Sequence, residues 1–394
     1  MSGARLFQLA VAGISVALMG LCGVRLLASL TRVLLGKETE GGLSKAACAQ
    51  GRGAPPSALI AAALCALLSR LLLYALAYAM HRAMGRGGSP LETFELLWNH
   101  WDTPHYIGIA AEGYTSVGNE RLRLVFFPLY PLLMRLVSPL TGGDLFLSGV
   151  AVSLACACIS AALLYALAYM HGGRETAALS VAYFLLDPMS VFLGCCYTES
   201  LFIALTLGAI LLLRRGRPWL AALCGAASAL TRMPGVIVAG LPIIALLGKF
   251  GRRQARPRGA AACAGQVAVV FSGLAVYWLI NWRVTGDPLM YMTYQRENWF
   301  QEPGTFWGSA MNTAYYALET FGEDGWFFSW GYQLIAMLAV FALLAFRANR
   351  LPFDLAAYSF VYVAVVLAPT WLLSGPRYLY ALAPLPLLRA CMTR

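Results

Sequence analysis

The chain has 394 residues, 60% of them hydrophobic and only 12% charged, with a formal net charge of +11. Soluble domains carry about 25% charged residues, and disordered chains are poor in apolar residues, so both classes are excluded and a polytopic membrane protein remains. The positive charge is no argument for nucleic acid in such a chain, because helical membrane proteins collect Lys and Arg in their cytoplasmic loops.

A spanning helix needs about 20 apolar residues. The sequence predicts about eleven such segments, near 7–35, 57–81, 145–170, 177–194, 198–213, 218–231, 234–248, 259–280, 326–346, 353–373 and 376–391. The first is too long for a signal-peptide core and contains Arg25 and Arg32. The sixth and seventh are short and read equally as a re-entrant pair. Two short loops fix the cytoplasmic face: 214–217 is Arg-Arg-Gly-Arg, and 249–258 holds Lys249, Arg252, Arg253, Arg256 and Arg258. Counting outward from them, Lys37, Lys45, Arg52, Arg174, Arg347 and Arg350 fall on the same side. The expected fold is an all-α polytopic bundle, residues 1–394 forming a single membrane domain.

Two long polar stretches, 82–144 and 281–325, then lie together on the opposite, extracytoplasmic side, and with Glu199 they hold 13 of the 18 acids. Loops of this length are usually functional. Within the first, 124–139 is apolar but broken by Pro128 and Pro131, which suits a helix lying along the outer surface better than a span. The ten cysteines sit mostly in apolar runs with no C-x-x-C spacing, the pattern of small buried hydrophobes; the Cys195-Cys196 pair alone leaves that reading open.

The richest stretch is 98–114, Trp-Asn-His-Trp-Asp-Thr-Pro-His-Tyr-Ile-Gly-Ile-Ala-Ala-Glu-Gly-Tyr. Asp102 or Thr103 is placed to cap a short helix, with Pro104 in its first turn and Gly113 at its end. Asp102, His105 and Tyr106 then share one face, flanked by His100 and Trp101. An aspartate there is either a helix cap or a reactive group.

With Phe126-Phe127-Pro128-Leu129-Tyr130-Pro131 downstream, this stretch resembles the GPI mannosyltransferase 2 family, the phosphatidylinositol-glycan class V type. The likeness continues in Asp187-Pro188-Met189-Ser190-Val191-Phe192, Tyr197-Thr198-Glu199-Ser200-Leu201-Phe202, Ser228-Ala229-Leu230-Thr231-Arg232-Met233-Pro234-Gly235 and Pro376-Arg377-Tyr378-Leu379-Tyr380. The resemblance implies a GT-C-type transmembrane bundle with extracytoplasmic loop helices, a polyprenyl-phosphate sugar donor and a catalytic aspartate at the position of Asp102. The chain departs from the pattern in its extra segment 7–35 and in having His100 two places before the aspartate.

Displacing a phosphate needs no general acid, unlike hydrolysis of an ordinary glycoside with its two carboxyls. A single carboxylate that takes the acceptor's proton suffices, and direct displacement inverts the anomeric carbon. The leaving phosphate calls for fixed cations, and arginine suits it through its bidentate fork. Arg232 and Arg377 are the leading candidates, with Arg121, Arg123, Arg283 and Arg296 behind them; headgroup snorkelling is the alternative for the first two. Glu199 opens an apolar helix, where first-turn charge explains it, or it partners an arginine or a sugar hydroxyl. His105, Tyr106 and Trp101 are further candidate substrate contacts, and one or two of Trp299, Trp307, Trp326 and Trp330 could stack on a sugar.

No Asp-x-Asp occurs and no G-x-x-x-x-G-K-[ST] loop, so no metal and no other cofactor is expected and the sugar should arrive on a lipid. The sequence thus predicts an enzyme that moves a sugar, mannose by resemblance, from a polyprenyl-phosphate donor to a glycolipid, glycan or protein acceptor. A lipid-linked-sugar flippase is the alternative, though no duplicated half is visible, and a non-catalytic assembly subunit is another. The ratio of 26 Arg to 3 Lys points to a bacterial plasma membrane.

Overall fold

The computed structural model describes residues 3–37, 53–372 and 374–391; Lys45, Cys48 and Arg52 lie outside them. The described residues are all-helical. Helix α1 covers Gly3–Leu34 and α2 covers Pro56–Ala83. In the first long loop come α3 (Pro90–Trp98), α4 (Thr103–Glu112), a 3-10 turn at Asn119–Val125 and α5 (Leu129–Val137). The central helix α6 (Leu145–Leu186) leads through a 3-10 turn at Pro188–Leu193 to α7 (Glu199–Arg214) and α8 (Pro218–Ala229). Another 3-10 turn, Met233–Ala239, runs into α9 (Gly240–Gly251), followed by α10 (Pro257–Thr285). The second long loop holds α11 (Met290–Trp299) and α12 (Phe306–Glu319). The chain ends in α13 (Trp330–Arg347), α14 (Phe353–Val366), α15 (Gly375–Tyr380) and α16 (Leu385–Ala390).

Six of these stretches are long and apolar enough to cross a membrane, Gly3–Leu34, Pro56–Ala83, Leu145–Leu186, Met233–Gly251, Pro257–Thr285 and Trp330–Arg350, or seven if the bent pair at 119–141 is one span. That corrects the expected eleven, and packing supplies the reason. The segment at 198–213 is a 16-residue helix and that at 218–231 a 12-residue one, while 353–373 is helical for 14 residues. The last segment, 376–391, breaks into two six-residue helices whose side chains are largely buried. The pieces at 198–213, 353–373 and 376–391 are apolar largely because protein surrounds them, which periodicity alone does not distinguish from facing lipid; α8 instead exposes Trp219, Leu220 and Leu223 and falls short as a span by its length. By contrast α2 exposes Ile60, Leu64, Leu68, Leu72, Leu76 and Met80, the surface a bilayer would cover.

The 42 residues of α6 would make a straight rod about 63 Å long, twice a hydrocarbon core of about 30 Å. The helix breaks instead at Gly172 and Gly173, the latter at φ 73°. The chain returns past its own start, so that Ser153 Oγ donates to the Tyr197 carbonyl at 3.1 Å. The segments expected at 145–170 and 177–194 are these two arms.

The two long loops meet on one face. Tyr277 donates to the Leu124 carbonyl at 2.6 Å, Arg121 lies over the Tyr294 ring, and Phe126 packs edge-on to Trp299. On the other face the basic ends gather: Gly36 approaches the Gly251 carbonyl, and Arg214 pairs with Asp354 at 2.9 Å. The stretch 124–139 is no straight rod, since Asn119–Val125 and Leu129–Thr141 are bent by 106°. Its helix buries Tyr130 and Met134 and exposes Leu132 and Leu136. Cys195 and Cys196 are buried free thiols, as are Cys22, Cys156 and Cys263.

Close helix packing at α8 and α10 depends on Gly273, where an added Cβ would stand 2.1 Å from the Ala226 carbonyl oxygen. Gly273→Ala is expected to destabilise the bundle by about 3 kcal/mol, the upper end of overpacking costs, and to lower the thermal midpoint in detergent. Gly13→Ala, with nothing within 4 Å of its Cβ, serves as the control and should leave the midpoint unmoved.

Candidate active site

Helix α4 begins where the sequence requires, with Pro104 in its first turn and Gly113 at φ 86° ending it. Asp102 occupies the capping position, yet its side chain makes no capping hydrogen bond. Its carboxylate turns instead to Arg377, 2.8 Å from Oδ2 to Nη1. The capping explanation of this aspartate therefore fails.

Arg377 sits in α15, a six-residue helix started by Pro376 and sealed into the core by Leu379 and Tyr380. Its Nε lies 3.4 Å from Glu199 Oε1, and that same oxygen is 2.5 Å from Arg232 Nη1. Glu199 comes from the first turn of α7, where the helix N-terminus favours a negative charge. Arg232 comes from the extended residue that joins α8 to the 3-10 turn after it, at φ −156° and ψ 145°. Four parts of the chain thus deliver two carboxylates and two guanidiniums in the order Asp102, Arg377, Glu199, Arg232, with the charges formally cancelling.

Solvent reaches this row unevenly. The Glu199 side chain is 1% exposed, those of Arg377 and Arg232 12% and 15%, and that of Asp102 21%. Burying an ion costs several kcal/mol unless partners restore what water gave it, and here each guanidinium also rests on aromatic rings. Arg377 lies 5.0 Å from the Tyr197 ring centre and 5.4 Å from those of Phe192 and Tyr378, and Arg232 shares Tyr378 at 5.4 Å. Glu199 Oε2 is buried with no hydrogen-bond partner. The most accessible member is the aspartate.

The remaining expected residues divide. Trp101 is 76% exposed beside Asp102 and takes φ 53°. His105 is stacked on Phe126 at 4.7 Å with Trp299 at 6.1 Å. Burial lowers its pKa, the Asp102 charge offsetting this in part and Arg123 adding to it. Tyr106 is buried among Phe126, Tyr130 and Tyr197, and burial raises its phenol pKa. Both belong to the wall of the site. Of the loop arginines, Arg123 pairs with Glu112 at 2.6 Å, Arg121 lies over Tyr294 and Arg283 over Trp282. Among the described residues, no group of three or more His, Cys, Asp or Glu could hold a metal ion.

Sequence reasoning assigned no role to Phe192, Tyr197 or Tyr378. Tyr197 lies two residues from Glu199 and Tyr378 next to Arg377, whereas Phe192 is seven residues before Glu199; all three fall in the family-like runs of the sequence, which were the available signal.

Residues 90–258 match the family described as mannosyltransferase (PIG-V). The chain is 32% identical over 158 residues to GPI alpha-1,6-mannosyltransferase 2 of Rattus norvegicus and 32% identical over 157 residues to that of Homo sapiens. In each case the match covers 36% of this chain and 30% of the relative's length. No solved structure matches. Asp102, Glu199 and Arg232 fall within the family match and Arg377 beyond it.

Glu199→Gln keeps the shape of the buried side chain and removes the charge that Arg232 and Arg377 share. Breaking a buried pair in this way costs about 3–5 kcal/mol, so a marked fall in thermal midpoint is expected. Glu112→Gln, at a side chain 69% exposed, should cost no more than about 1 kcal/mol. Equal midpoints for the two variants would contradict the assignment.

Proposed function

We propose that this chain is a membrane glycosyltransferase that moves mannose from a polyprenyl-phosphate donor to an acceptor hydroxyl on the extracytoplasmic face. The observation that carries the reading is the Asp102–Arg377–Glu199–Arg232 row on the face where both long loops meet, with three of its members inside the segment similar to mannosyltransferases. The orientation rests on the basic loops 214–217 and 249–258, which mark the opposite face as cytoplasmic. A bacterial plasma membrane, suggested by the arginine bias, makes a cell-envelope glycolipid, glycan or protein the acceptor.

In this reading Asp102 takes the proton of the acceptor hydroxyl as its oxygen bonds to the anomeric carbon. The bond from that carbon to the phosphate oxygen breaks, and the polyprenyl phosphate leaves with the electron pair and the charge. Arg377 and Arg232 meet that charge, which in a site of low dielectric is worth far more than in water. Glu199 is too buried to touch a sugar and acts by fixing the two arginines. Trp101 is exposed next to the base in the chain and open to the substrate.

The row also orders the reaction. While the pair holds, Asp102 Oδ2 is occupied by Arg377 and not by an acceptor hydroxyl. A donor phosphate competes for the same guanidinium and releases the aspartate, so the base is armed only when the donor is in place.

The test is the purified chain with polyprenyl-phosphate mannose and candidate acceptors. Asp102→Asn should lower transfer by roughly 10²–10⁴-fold, the usual worth of a general base. It should also bind the donor at least as tightly as the wild type, because Arg377 has lost its competitor. Arg377→Gln should instead raise the donor KM. Unimpaired transfer by Asp102→Asn would remove the base from the mechanism.

A further inference from the structure

Tyr197 has no task in the mechanism above, yet it touches both ends of the Asp102–Arg377 pair. Its hydroxyl accepts a hydrogen bond from the Asp102 backbone N–H at 3.1 Å and donates to the His100 carbonyl at 3.3 Å. Those two groups flank Trp101, whose φ of 53° lies in the left-handed region. A bulky L residue stays there only when its surroundings over-determine it. The Tyr197 ring meanwhile lies 5.0 Å from the Arg377 guanidinium.

The residue is itself firmly held. It is 2% exposed, its carbonyl receives the Ser153 hydroxyl, and Phe192 packs edge-on to its ring at 5.1 Å. Burial, and then the neighbouring Asp102 charge, raise the phenol pKa, so the hydroxyl keeps the proton it donates.

We propose that Tyr197 is a positioning residue for the transfer reaction: one hydroxyl clamps the strained Trp101 turn and so sets Asp102, while the ring behind it sets Arg377. The inference rests on the reading of Asp102 as the base. Without the hydroxyl the Trp101 turn keeps only the Thr103 N–H to His100 carbonyl bond at 3.2 Å, the Asp102 N–H loses its partner, and the aspartate backbone is free to shift. Displacing a reacting group by about 1 Å can cost 10²-fold in rate. The hydroxyl faces the loop backbone, so its loss should spare donor binding, whereas loss of the ring should not.

Tyr197→Phe removes one oxygen and keeps the ring and its packing. With the purified full-length chain, polyprenyl-phosphate mannose as donor and an alkyl mannoside as acceptor, its kcat should fall roughly 10- to 100-fold. The donor KM should stay within about twofold, since no ring contact to Arg377 is lost, and the thermal midpoint should stay near wild type. Tyr197→Leu, lacking the ring, should show the same fall in kcat together with a raised donor KM. A wild-type kcat in Tyr197→Phe, alongside an inactive Asp102→Asn, would overturn this inference alone. A raised donor KM in Tyr197→Phe would overturn it as well, by assigning the hydroxyl to donor binding. Full activity of Asp102→Asn would overturn it together with the base reading.

Discussion

One buried carboxylate organises the functional end of this bundle. Glu199 is 1% exposed, and a single oxygen of it is shared by Arg232 and Arg377. A lone ionised carboxylate in such a place would cost several kcal/mol, and so would either guanidinium. Together they stand, and Asp102 completes the neutral set at the margin where solvent begins. The arrangement keeps two cations largely buried within an apolar helical bundle, where a charge is costly without a partner. It also leaves them able to exchange one anion for another.

The architecture follows from that requirement. The four charged residues come from a loop helix, the start of α7, the exit of α8 and the short α15, and no single long span could present them together. The short helices that fail as spans by length, α7, α8, α14 and α15, are the ones that converge on the row. The two guanidiniums of the row lie against Phe192, Tyr197 and Tyr378. Aromatic faces stabilise a guanidinium without competing for its hydrogen bonds, so Arg377 Nη1 and Arg232 Nη1 stay directed at carboxylates, while the Arg377 Nε is buried with no hydrogen-bond partner.

Much of this was legible in the sequence. Composition excluded a soluble fold, basic loops separated the two faces, and the run 98–114 marked Asp102. The number of spans was not legible, because an apolar segment surrounded by protein and one surrounded by lipid have the same composition; the two buried helices within 376–391 show this directly. The partnership of Asp102 with Arg377 was not legible either. They are 275 residues apart, and nothing in local spacing tells an N-cap aspartate from one whose carboxylate is drawn to a distant arginine. Glu199 was placed correctly at a helix start, but its burial, and with it the distinction between touching a sugar and holding two arginines, depends on packing from α8 and α15. Tyr197 was invisible as a functional residue because its role lies in one hydroxyl reaching back to the His100–Asp102 backbone.

The central claim is that the donor phosphate and Asp102 compete for Arg377. The most direct measurement is a structure of the full chain in a lipid nanodisc with polyprenyl phosphate bound. The account predicts the phosphate on Arg377 and Arg232, with Asp102 no longer within hydrogen-bond distance of Arg377 and its carboxylate facing open space beside Trp101. A bound lipid phosphate elsewhere, with the 2.8 Å Asp102–Arg377 contact intact, would contradict it.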